Sequence, residues 1–133
     1  MTLVVDASVA VLWVLPQNGS ERALALRSEQ PLIAPSLIVA EVGNAIWKAV
    51  RRAEVSREHA LTAIDAALAA VNQLAPMEDL RLSALEFSIE LDHPIYDCFY
   101  LALAEREHAP LVCADKRIAE KAKRLKRVEI RPL

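Results

Sequence analysis

Asp6, Glu41, Asp97 and Asp115 each interrupt or adjoin a strongly apolar run: Val4-Val5-Asp6, Ile38-Val39-Ala40-Glu41-Val42, Ile95-Tyr96-Asp97-Cys98-Phe99 and Leu111-Val112-Cys113-Ala114-Asp115. A carboxylate taken out of water costs several kcal/mol unless a cation, a proton or a hydrogen-bond donor compensates it. Two like charges about 4 Å apart repel by ~4 kcal/mol at an effective dielectric near 20, so four such acids brought together would invite a divalent cation or protonation. Each also has a structural alternative. Asp6, Asp97 and Asp115 precede or begin helical segments and are natural caps. Glu41 fits that role badly and would otherwise need an Arg or Lys partner. Ser8 is a second candidate cap, and Asn44 a candidate buried amide.

The elements that must position these residues alternate. Leu3-Val4-Val5 is a short apolar run suited to a strand buried on both faces, and Leu32-Ile33-Ala34, Leu74-Ala75, Leu111-Val112-Cys113 and Val128-Glu129-Ile130 read as further strands. Between them the spacing predicts helices over about 9–14, over 20–27 capped by Ser20, to about Arg52 capped by Ser36, and after a Ser56 cap with Ala60, Ile64, Ala67, Leu68 and Val71 on one stripe. Further helices run over about 79–91, 96–107 and 116–125. This order predicts an α/β fold with a central parallel sheet covered on both faces, in one domain over 1–133. Asp6 and Asp115 then follow strands, where open parallel sheets hold ligands at their carboxyl ends. Glu41 and Asn44, three apart, share a helix face.

Composition narrows the classes. With 54% hydrophobic and 26% charged residues, the 133-residue chain suits one compact core. Two glycines exclude a Gly-rich phosphate loop, and six aromatic residues are too few for a base-stacking platform. Cys98 and Cys113 sit in apolar surroundings without C-x-x-C spacing, and read as buried reduced thiols. His59, His93 and His108 are scattered, with His93 a turn residue before Pro94. The longest uncharged stretch is too short and Pro-interrupted for a membrane span, and the expected location is cytoplasmic.

The net charge of −2 hides an asymmetry, for residues 116–133 hold eight of the sixteen basic residues. Lys121, Lys123, Arg124, Lys126 and Arg127 are candidate RNA phosphate contacts, with a solvated helix face as the plainer reading.

Asp6-Ala7-Ser8 after a strand, Glu41-x-x-Asn44 on a helix, Tyr96-Asp97-x-x-Tyr100-Leu101-Ala102-Leu103-Ala104, and Ala114-Asp115 after a second strand together resemble a PIN-domain ribonuclease. The compact size is similar to the VapC toxin branch. The resemblance implies strand order 3-2-1-4-5, a Mg²⁺ or Mn²⁺ centre and RNA cleavage, with Asp6, Glu41, Asp97 and Asp115 as the acidic quartet and Ser8 and Asn44 in support. It also implies a VapB-like antitoxin partner. Oxygen-only ligands favour Mg²⁺ or Mn²⁺ over zinc, and such an ion activates water for in-line attack on a phosphodiester. Asp6 and Asp97 are the expected principal ligands. The chain departs from many relatives in having Cys113 where they carry Thr, and Lys116-Arg117 where some place another acid. Apolar helices such as Leu37 to Val50 suggest a homodimer, although core burial is the plainer reading. A catalytically silent PIN-like scaffold and a housekeeping nuclease are the alternatives.

Overall fold

The computed structural model describes residues 1–133. In chain order the elements are β1 (Leu3–Val5), α1 (Ala7–Val14), α2 (Ser20–Glu29), β2 (Leu32–Pro35), α3 (Ile38–Arg51), α4 (Arg57–Ala69), β3 (Gln73–Ala75), α5 (Met77–Leu91), α6 (Ile95–Glu107), β4 (Leu111–Cys113), α7 (Lys116–Ala122) and β5 (Ile130–Pro132). The five strands form one parallel sheet in the order β3-β2-β1-β4-β5, as the resemblance implies. No helix is long and apolar enough to cross a membrane.

The strands are short, and β1 and β4 are buried on both faces, which explains their sequence. Leu3, Val4 and Val5 on the central strand are all buried, as are Leu111, Val112 and Cys113 beside them. Such strands read as continuous apolar runs rather than alternating ones, because helices cover both faces. α6 lies against β1, β2 and β4 and packs on α5, while α1 packs on α2, α3, α4 and β4. The run Cys98 to Ala104 is buried without interruption, so α6 is a core helix apolar nearly all round. Trp13 is a packing residue: its indole N–H donates to the Ala23 carbonyl at 2.8 Å and ties α1 to α2.

The predicted caps fare unevenly. Ser56 caps α4 by accepting from the His59 N–H. Ser20 does not cap α2; the N-cap is Gly19, whose φ of +97° suits glycine, and the Ser20 hydroxyl instead accepts from the Gln17 N–H and closes the preceding turn. Ser36 does not cap α3 either. Its hydroxyl accepts from the Met77 N–H and so links β2 to the start of α5, leaving Leu37 at the N-cap. At Ser36 a long-range contact, and at Ser20 a local turn, takes the hydroxyl that the helix pattern assigns to a cap. α7 stops at Ala122, three residues early, and β5 pairs at Ile130–Pro132 rather than 128–130. The pairing of Leu111 with Ile130 and Cys113 with Pro132 sets that register, which the local apolar pattern does not encode.

Candidate active site

Asp6 stands immediately after β1 and Asp115 two residues after β4, adjacent strands of the sheet, and both are helix N-caps. Asp6 accepts from the Val9 N–H at the start of α1, and Asp115 from the Arg117 N–H at the start of α7. The capping reading is therefore correct for both. A cap holds a carboxylate fixed at a strand end, which is also what a site needs.

Their environments differ sharply. Asp6 is the single buried charged residue, 7% exposed. Its Oδ1 accepts from the Ser8 hydroxyl at 2.5 Å, and its Oδ2 accepts from the Cys113 thiol at 2.8 Å. Burial outweighs these donors and pushes its carboxyl up to about 6, with the charge of Asp97 adding to the rise. The Cys113 thiol is in turn pushed well above its usual value by burial and the Asp6 charge, so it stays a donor. Ser8 also accepts from the Ala114 N–H at 3.0 Å, which joins the two strand ends. Asp115, by contrast, is gripped by Arg117 through Nη2 to Oδ2 at 3.0 Å and Nε to Oδ1 at 3.3 Å. These bonds hold its carboxyl below the ordinary value.

Glu41 lies in the first turn of α3, not well inside the helix, because α3 begins at Ile38. Its partner is neither Arg nor Lys. The Tyr100 hydroxyl donates to Glu41 Oε1 at 2.6 Å, and burial with the nearby Asp97 charge pushes the Glu41 carboxyl up. Tyr100 itself is driven strongly upward by burial, then by the Glu41, Asp6 and Asp97 charges. Asp97 sits in the first turn of α6 with Oδ2 2.6 Å from His93 Nε2. Its charge acts on Asp6, Glu41 and Tyr100 alike, so the carboxylates of Asp6, Glu41 and Asp97 share one electrostatic centre. Asp115 stands at the rim, turned to Arg117.

A cleft of about 520 Å³ opens beside this centre, lined by Ser8, Asn18, Glu41, Asn44, Lys48 and Asp115 among others. It adjoins a smaller cavity of about 210 Å³ that shares Asn18 and Asp115 and adds Arg22, Cys113 and Lys116. Asn44 is exposed on this cleft rather than buried. Neither Asp6 nor Asp97 is among the residues that line these two cavities.

The donor set fits a hard divalent cation: Asp97 Oδ1 and Glu41 Oε2 have no protein donor, and Asp6 Oδ2 has only a weak thiol. No three His, Cys, Asp or Glu side chains stand close enough to enclose an ion by themselves. That arrangement suits Mg²⁺, which keeps several waters and takes one or two carboxylates together with substrate phosphates.

Of the basic candidates, Arg127 is committed elsewhere. It pairs with Glu105 at 2.9 Å and Glu90 at 3.2 Å, stacks 4.5 Å above the Phe87 ring, and lines a cavity with Ala109 and Pro110, before β4, at the end of that strand away from Asp115. Lys123 pairs with Glu120, and the Lys121 ammonium donates to the Asp92 carbonyl at 3.1 Å. Arg124 and Lys126 are exposed.

Sequence reasoning missed Tyr100 and His93 as site residues. Tyr100 follows Asp97 by three positions, a spacing that places both on one helical face. His93 lies outside α6, so no helical spacing marks it.

The PIN domain family model matches residues 3–124. Ribonuclease VapC3 of Pyrobaculum aerophilum is 32% identical over 124 residues, covering 91% of this chain and 95% of that one. Ribonuclease VapC1 of Mycobacterium tuberculosis is 38% identical over 121 residues, 87% of each. In fold, the chain is similar to a crystal structure of VapBC2 from Rickettsia felis bound to a DNA fragment from their promoter, with TM-score 0.75, 16% identity, and 100% of this chain and 99% of that one covered. It is also similar to PAE2754 of Pyrobaculum aerophilum, with TM-score 0.69 and 23% identity over 98% of this chain and 83% of that one. With its five-stranded parallel sheet, its acids at the strand ends and these matches along nearly its whole length, the chain belongs to the PIN domain family.

Proposed function

We propose that this protein is a Mg²⁺- or Mn²⁺-dependent endoribonuclease, the toxin of a toxin–antitoxin pair, acting on RNA in the cytoplasm. The observation that carries the reading is the burial of Asp6 beside Glu41 and Asp97 with no Lys or Arg bonded to any of the three. A folded chain does not keep such a centre for stability, because each acid opposes ionisation of the others. The names of its sequence relatives, both VapC ribonucleases, support RNA as the substrate class.

When bound, the cation supplies charge neutralisation on the phosphate oxygens and a more acidic water. Asp6 and Asp97 would be its principal holders, with Glu41 and Asp115 completing the set. Ser8 and Cys113 fix both oxygens of Asp6, and Tyr100 fixes one oxygen of Glu41, so neither carboxylate needs to reorganise during the reaction. Asn44, exposed one turn from Glu41, offers an amide to substrate or water. Lys48 at one side of the cleft, and Arg22 and Lys116 at the other, are placed to draw flanking phosphates of a single strand across the acids. Lys121, Lys123, Arg124 and Lys126 would add to that field from α7 and its continuation.

A VapB-like antitoxin is the proposed partner, in keeping with the VapBC2 structure of similar fold. Self-association as a homodimer would use exposed apolar side chains of α3 (Val39 and Trp47) or of α5 (Leu82, Leu85 and Ile89), since Ile38, Val42, Ile46 and Ala49 of α3 are spent on the core.

The experiment is cleavage of RNA by the purified protein with Mg²⁺, with Mn²⁺ and with EDTA, beside Asp6→Asn and Asp97→Asn. Metal-dependent cleavage lost in both variants is the expected result. A protein that neither binds Mn²⁺ nor cuts RNA would be a PIN-like scaffold. Growth arrest on expression, relieved by Asp6→Asn and by a co-purifying neighbouring antitoxin, separates a toxin from a housekeeping nuclease.

A further inference from the structure

We propose that His93 is a positioning residue for the acidic centre: it holds Asp97 by one oxygen and leaves the other free for the cation. The inference rests on the metal-dependent reading given above. Nε2 of His93 lies 2.6 Å from Asp97 Oδ2, the only hydrogen bond to that carboxylate. The imidazole is largely buried, at 12% exposure, while Asp97 is 42% exposed. The buried ring therefore anchors the more accessible acid.

The main chain beneath the ring is fixed on both sides. The His93 N–H donates to the Ser88 carbonyl at 3.2 Å, and the Ser88 hydroxyl donates to the His93 carbonyl at 2.6 Å. Asp92, with φ of +49°, ends α5 on one side, and Pro94 opens α6 on the other. Lys121 ties the Asp92 carbonyl to α7. One turn thus joins α5, α6 and α7 and presents an imidazole to Asp97.

The other ring nitrogen makes the case against a merely structural histidine. Nδ1 is buried with no hydrogen-bond partner. An unpaired buried polar atom carries a desolvation cost that an apolar residue filling the same space would avoid. The ring is retained at a cost to the fold, and its one polar contact is with Asp97. That orphan also selects the tautomer, since Nε2–H with bare Nδ1 avoids burying an unpaired N–H. A single N–H donor orients the carboxylate through one oxygen and leaves the other open. Arg117 does the opposite at Asp115, where a full cation occupies both oxygens. Asp97 is left able to attract a metal, and oriented for it.

The test compares His93→Leu, which fills the space without a donor, with His93→Gln, which keeps an N–H able to reach Asp97. Mn²⁺ affinity is read by paramagnetic resonance of the free ion on the full chain, and RNA affinity in EDTA serves as control. H93L should bind Mn²⁺ roughly 10–100-fold more weakly, H93Q should stay near wild type, and RNA affinity in EDTA should not move. H93L binding Mn²⁺ like wild type, or H93Q losing as much as H93L, overturns the proposal. Should H93L fail to fold, the wild-type imidazole ¹⁵N spectrum decides: protonated Nε2, bare Nδ1 and an Nε2 resonance that moves on Mg²⁺ addition are expected, and a static resonance or the reverse tautomer overturns it. Wild type that binds no Mn²⁺ and cuts no RNA overturns the nuclease reading and this inference together. Wild type that does both, with H93L unimpaired, overturns this inference alone.

Discussion

At the carboxyl end of β1 three acids, Asp6, Glu41 and Asp97, stand together and are held by a hydroxyl, a thiol, a phenol and an imidazole. At the opposite end of β4 two acids, Glu90 and Glu105, share one arginine that also lies on an aromatic ring. The same residue types do different work. Around Arg127 every negative charge has a cation within 3.2 Å, and the cluster pins α5 and α6 to the segment before β5. Around Asp6 the donors orient charge without neutralising it. The difference teaches how to separate a structural acid from a functional one: not by burial alone, but by whether the compensating group carries a charge.

The contrast breaks most completely if the acids are altered. Asp6→Asn and Asp97→Asn should each lower RNA cleavage by roughly 10²–10⁴-fold, measured at saturating Mg²⁺. Arg127→Ala should leave kcat unchanged at a temperature where the variant is folded. A variant of Arg127 that abolished cleavage in folded protein would erase the distinction between the two ends.

Stability should move in opposite senses. In metal-free protein at pH 7, Asp6→Asn should raise stability by on the order of 1–3 kcal/mol, because a carboxyl pushed from 3.8 to about 6 opposes folding when ionised. The sign follows from the proton balance. The folded state holds this proton more tightly than the unfolded state, so stability falls as pH rises from about 4 through 6 and the penalty is complete above that. Melts of wild type against D6N should therefore converge as pH drops below about 4. Asp115 acts in the other direction, since its carboxyl is held low and its contribution is lost only as pH falls below the ordinary value of 3.8. Arg127→Ala should cost about 1 kcal/mol, a figure kept small because its partners are partly solvated.

The smallest effect expected is on substrate capture. Lys48→Glu or Arg22→Glu should weaken RNA binding several-fold at low salt and reduce the slope of log affinity against log salt by about 1 for each phosphate no longer neutralised. Charge reversal at Arg124 and Lys126, on the exposed end of the basic flank, should change the slope less. A larger change there than at Lys48 would move the RNA path from the cleft to α7.

Much was legible from local pattern. Apolar runs bounded by Asp marked β1 and β4, because strands buried on both faces cannot alternate, and the Asp that ends each run is held there by the helix it caps. The four acids stood out because apolar neighbours make a carboxylate costly wherever the chain folds. Their partners did not stand out. Tyr100 entered only as one letter of the Tyr96-Asp97-x-x-Tyr100 motif, with no role of its own, and His93 looked like a turn, for a hydrogen bond between α6 and α3, or between a turn and a helix, leaves no periodic trace. Arg127 looked like part of a phosphate-binding flank, since charge counts carry no direction, and only folding turned it to Glu90 and Glu105. Residue chemistry alone determined which groups would be expensive to bury; tertiary structure decided which of them would be neutralised, because compensation depends on what distant segments bring within about 3 Å.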